Sequence, residues 1–160
     1  MKQSAEIFDI VDHDEWEATP ENEKFFSSDH VIDAYMKGRK DGVKDERALI
    51  IDKIKSNVTS SSAVTHAAFN EIRRLGFSPI SAYLKISDWA IYNILITIPE
   101  SEFLDDRILE VYSVLSKIED NFKNDYYSVH ISLCDIGDDF SEKCVTIDGY
   151  GLRLKHAQEK

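Results

Sequence analysis

The sequence predicts an α+β fold: two N-terminal helices, then a β-β-α-β-β unit whose mostly antiparallel sheet packs on a helix over 101–123. Three observations predict it. Residues 29–75 carry apolar side chains at helical spacing, and residues 80–98 switch to a period of two. Residues 104–122 return to helical spacing before a second alternating run at 126–134.

The first thirty residues hold nine acids and two lysines and have no long periodic apolar pattern. Only Ile7, Phe8, Ile10, Val11 and Trp16 stand out there. Residues 1–28 read as a mobile acidic arm with one apolar patch at 7–11, or as a short edge strand that docks on a single domain spanning 29–156. Residues 157–160 form a charged tail.

The first helix is predicted from Asp29 to about Lys55, with Ser28 or Asp29 as its N-cap. At about 100° per residue, Ile32, Met36, Val43, Ile50 and Ile54 fall within about 40° of one another. Gly38 and Gly42 interrupt the pattern, and the basic residues around them exclude a membrane-helix contact. A second helix is expected from Ser62 to Leu75, capped by the serine run at 60–62 and stopped by Gly76. Val64, Ala68, Ile72 and Leu75 make its inner face, and His66, Asn70 and Arg73 point away.

Ile80, Ala82, Leu84 and Ile86 alternate with Ser81, Tyr83 and Lys85, the pattern of a half-buried strand. Ser87-Asp88 is the predicted turn. Trp89–Ile98 is apolar on both parities, as a central strand is, and Pro99 ends it because proline cannot donate to the ladder. Leu104, Ile108, Val111, Leu115, Ile118 and Phe122 then define a helix with Ser101 as its cap and acids in its first turn. The link is long enough to cross over between parallel strands. Tyr127, Val129, Ile131 and Leu133 face one side of a third strand. Asp135–Lys143 is a polar loop, and Val145 and Ile147 begin a fourth strand. The apolar parity flips at 148–151 and resumes at Leu152 and Leu154.

Composition sets the functional limits. The 160 residues carry 30 acids against 19 lysines and arginines, a formal charge of −11, with 42% hydrophobic residues. A chain of this size buries roughly two thirds of its unfolded surface, which excludes a disordered chain. The charge argues against a generic nucleic-acid binder. The ten-residue run Trp89–Ile98 is too short to span a bilayer, so no membrane partner is expected. The acidic N-terminus lacks a signal or transit pattern, so the cytoplasm is the expected location.

Candidate chemistry is sparse. Asp135, Asp138 and Asp139 are hard-cation donors in a glycine-containing loop without the EF-hand pattern. His130 stands on the polar parity of its strand with Ser128 and Ser132, where it is a candidate acid, base or ligand beside Asp135 and Asp148. Cys134 and Cys144 flank the loop and fit neither a C-x-x-C motif nor a zinc set. Tyr83, Trp89, Tyr92 and Tyr126 are candidate lining for a ligand pocket between sheet and helix. The chain lacks G-x-G-x-x-G, P-loop, G-x-S-x-G and H-E-x-x-H motifs, so no cofactor is expected. The leading expectation is a non-enzymatic interaction or regulatory module with a protein partner, basic or a second copy. The alternatives are a small-molecule or metal sensor, and an enzyme using His130.

Overall fold

The computed structural model describes residues 15–19 and 44–155. The expectations for residues 1–14 and 20–28 of the arm, for the helix start at Asp29, for Gly38 and Gly42 and for the tail fall outside those residues.

In chain order the elements are β1 (Trp16–Ala18), α1 (Lys44–Arg74), β2 (Ser81–Asp88), β3 (Ile91–Pro99), α2 (Glu100–Phe103), α3 (Ile108–Phe122), β4 (Ser128–Ile136), α4 (Glu142–Ile147) and β5 (Leu152–Leu154). The strands form one mixed sheet in the order β1-β5-β2-β3-β4. Every pairing is antiparallel except β3 with β4, which run parallel and are joined through α2 and α3.

The register assigns the two faces. Ala82 pairs with Ile96, Leu84 with Ile94 and Ile86 with Tyr92. Val129, Ile131 and Leu133 stand beside Tyr92, Ile94 and Ile96. Leu152, Leu154 and Trp16 continue this row toward the far edge. These side chains form one core with Ile54, Val58, Val64, Ala68 and Ile72 of α1 and Val111, Leu115 and Ile118 of α3. Both long helices therefore cover the same face, α1 packing against α3 and α3 against β4.

Four expectations are corrected. A single helix of 31 residues replaces the break at the serine run. The Ser61 hydroxyl donates to the Asn57 carbonyl at 2.9 Å, Thr65 donates to the Ser61 carbonyl at 2.7 Å, and Thr59 donates to the Lys55 carbonyl at 3.1 Å. Hydroxyls that bond back along their own helix do not cap a new one. Burial holds the segment helical: Val58, Ser61, Val64 and Thr65 are sealed off, and Asn57 donates to the carbonyls of Trp89 and Tyr126, each at 3.0 Å. Gly76 does stop the helix. At φ +94° it lets the Gly76 N–H reach the Arg73 carbonyl and the Phe77 N–H reach the Ile72 carbonyl, a Schellman ending.

The helix expected over 101–123 is two helices. Leu104–Arg107 turn between them, Asp105 accepts from the Arg107 N–H at 2.8 Å, and Leu104 points outward. Ser101 caps neither piece; Pro99 and Arg107 hold the N-cap positions, without side-chain bonds. The expected strand at 145–147 is instead the helix α4, capped by Ser141, whose hydroxyl accepts from the Cys144 N–H. Val145 and Thr146 are buried there and Ile147 is exposed, a pattern too short for its period to be read from sequence. Strand β2 runs on through Asp88, with a register shift after Ile86, so the turn falls at Trp89-Ala90 rather than Ser87-Asp88.

Candidate functional site: a carboxylate-lined groove on the polar face of the sheet

The face of the sheet turned away from α1 and α3 carries the other parity: Ser81, Tyr83 and Lys85 on β2, Asn93, Leu95 and Thr97 on β3, and His130, Ser132 and Cys134 on β4. One side of this face is covered by α4. Glu142 of that helix accepts from Tyr83 Oη at 3.0 Å and from Arg153 Nη1 at 2.8 Å, and Arg153 Nη2 donates to Glu17 at 2.8 Å. Thr146 donates to Thr19 across the same seam. The arginine thus ties β1, β5, β2 and α4 together. Tyr83 belongs to this clamp, and burial, aided by the Glu142 charge, pushes its phenol pKa up.

Beyond α4, toward the β4 side, the cover that the described residues supply stops and leaves an open groove of about 810 Å³. Its floor is Leu95, Ser132 and Cys134; its walls include Phe103, Phe140, Val145 and Tyr150. Five carboxylates line it: Glu100, Asp135, Asp138, Asp139 and Asp148. No lysine, arginine or histidine among the described residues lines it. None of the five makes a side-chain hydrogen bond or ion pair among the described residues. Elsewhere Glu71 holds Arg74, Glu17 and Glu142 share Arg153, and Glu119 accepts from the Ile131 N–H.

The parallel pairing builds this site. Pro99 of β3 stands opposite Ile136 of β4, so the residues that follow each strand, Glu100 and Gly137, emerge side by side. A Cβ at Gly137 would lie 2.8 Å from Glu100 Oε1, so glycine is what lets that carboxylate lie against the backbone.

The structure divides the sequence-predicted residues. Asp135, Asp138, Asp139 and Asp148 share the groove. They are distributed along it: no group of three or more His, Cys, Asp or Glu side chains among the described residues is arranged to hold a metal ion. His130 is exposed on β4 outside the groove lining, with Nδ1 4.0 Å from Glu119 Oε1, so it does not meet Asp135 and Asp148 there. Cys134 and Cys144 are both free thiols of the groove lining. Burial, then the Asp135 charge, raises the Cys134 pKa, which keeps that thiol protonated and weakly nucleophilic.

The aromatic candidates do not gather in one cavity. Tyr92 is sealed in the helix-side core, its hydroxyl donating to the Trp89 carbonyl at 2.9 Å. Trp89 and Tyr126 pack against each other at the opposite end of the strands, ring centroids 6.5 Å apart, with Lys53 over the Tyr126 ring. Sequence reasoning missed Glu100, Phe103, Phe140 and Tyr150. Glu100 had a readable signal as the acid directly after the strand-ending Pro99; the others carry none.

No family model matches this chain, and neither the curated proteins nor the solved structures hold a match to it.

Proposed function

We propose that this chain is a non-enzymatic protein-binding module whose contact surface is the polar face of β3 and β4 around the groove. One observation carries the reading: one face of the sheet is sealed by both long helices, whereas the other, among the described residues, ends in an uncovered groove with exposed Ser132 in its floor and exposed His130 two residues before it on the same strand. The catalytic reading needs convergence of His130 with Asp135 and Asp148, and His130 is not among the residues that line the groove with them. A surface lined by one sign of charge steers a partner of opposite sign and repels a phosphate backbone. That favours a protein partner over nucleic acid. No helix among the described residues is long and apolar enough to cross a membrane.

The test is capture from an extract of the source cells by the immobilised chain at low salt. Three forms are compared: the parent, a face variant (Ser132→Arg with His130→Glu), and a variant on the exposed side of α1 (Asp52→Asn). The expected result is one protein retained by the parent and the α1 variant and lost by the face variant. Equal retention by all three, or no retention by the parent, overturns the proposal.

A further inference from the structure

The groove has chemistry enough to describe its occupant. Two properties coincide in it. Among the described residues its carboxylates are unpartnered and of one sign, so each gains from a cation brought within a few ångströms without first breaking a bond to another described residue. Its walls are aromatic and aliphatic, with Phe103 and Phe140 half-buried and Tyr150 beside Asp148. A bare metal ion gains nothing from those rings, and no metal-ligating group is assembled among the described residues. A second copy of the chain would bring further negative charge toward carboxylates that already repel, since the chain carries −11. A sheet face at the end of parallel strands accommodates an extended segment, whose side chains alternate between two directions.

We infer that the groove takes an extended segment of a partner protein in which lysines or arginines alternate with aromatic or large aliphatic side chains. The cations meet Glu100, Asp135, Asp138, Asp139 and Asp148. The apolar side chains rest against Phe103, Phe140 and Tyr150. This inference rests on the protein-binding reading above and adds the chemistry of the partner. Gly137 has a defined part in it, because the place a larger residue's Cβ would occupy is where the Glu100 carboxylate lies.

The experiment measures fluorescence anisotropy of a short synthetic peptide alternating lysine and phenylalanine. Its lysine-only and its glutamate–phenylalanine counterparts serve as comparisons. The proteins are the full parent chain, Asp138→Asn with Asp139→Asn, Phe140→Ala, and a control, Asp52→Asn with Asp120→Asn. The control removes the same charge from exposed helical positions away from the groove. The expected result is saturable binding of the lysine–phenylalanine peptide by the parent. The groove pair should weaken it at least about tenfold, and Phe140→Ala about threefold or more. The control should change it less than about twofold. Asp138 and Asp139 are exposed and have no partner among the described residues, so the groove pair should fold as the parent does, and a matching melting curve checks this. Equal weakening by groove and control pairs, equal binding of the lysine-only peptide, or absence of binding overturns the inference. If the peptide fails while the face variant still abolishes capture from extract, only the occupant is wrong. If capture fails as well, the protein-binding reading falls with it.

Discussion

Asn57 and Tyr127 show how single polar groups fix the packing. Asn57 is almost fully buried in α1, yet its side-chain amide donates outside the helix, once to the β2–β3 turn and once to the loop before β4. Tyr127, at the start of β4, shares a 2.9 Å hydrogen bond with Ser61 and packs on Tyr92 with centroids 5.4 Å apart. Burial pushes the Tyr127 phenol up to about 12, the Ser61 bond opposing it slightly. The direction of the pH effect follows. In the unfolded chain tyrosine ionises near pH 10, whereas the folded chain holds the proton until about 12. The stabilisation is complete below pH 10 and is lost as pH rises to about 12, amounting to roughly 2 kcal/mol. Urea unfolding should therefore show a midpoint that falls between about pH 10 and pH 12, and Tyr127→Phe should make that fall shallower. An unchanged slope in the variant would remove Tyr127 as the titrating group.

At the scale of elements, α1 depends on its ending as much as on its apolar stripe. Gly76 adopts a left-handed conformation, and an added Cβ there would also lie 3.3 Å from Arg107 Nη2. Gly76→Ala should lower stability by about 1 kcal/mol, read as a lower denaturation midpoint with an unchanged m-value. Where an element's period repeats several times the sequence was readable, as at 127–133 and 108–122, because alternation and heptad spacing each map onto one buried face. Where one residue type serves two roles it was not. The serines and threonines of 59–65 look like caps but bond backward inside a buried helix. Residues 145–147 offer too few positions to separate a period of two from one of 3.6. The groove was half legible. The aspartates at 135, 138 and 139 announce themselves as a cluster, but Glu100 and Phe103 reach it through the parallel pairing of β3 with β4, which no local pattern encodes.

For the molecule as a whole, the sheet divides labour between its faces. One side is a continuous apolar layer under two helices; the other is clamped at one side by Arg153 and, among the described residues, left uncovered toward β4. The clamp joins the two short strands from opposite ends of the described chain, so β1 and β5 hold each other and only β5 touches the larger strands. That arrangement has a spectroscopic consequence. The chain's two tryptophans sit in unlike surroundings: Trp16 of β1 is wholly buried and its indole N–H has no acceptor among the described residues, whereas Trp89 lies partly exposed at the β2–β3 turn beside Tyr126. An indole in dry apolar contact emits to the blue and is shielded from dissolved quenchers; a wetted one does neither. Acrylamide should thus quench a red-emitting fraction first, Trp89→Phe should abolish that fraction, and loosening of the β1 seam should register as a red shift of what remains.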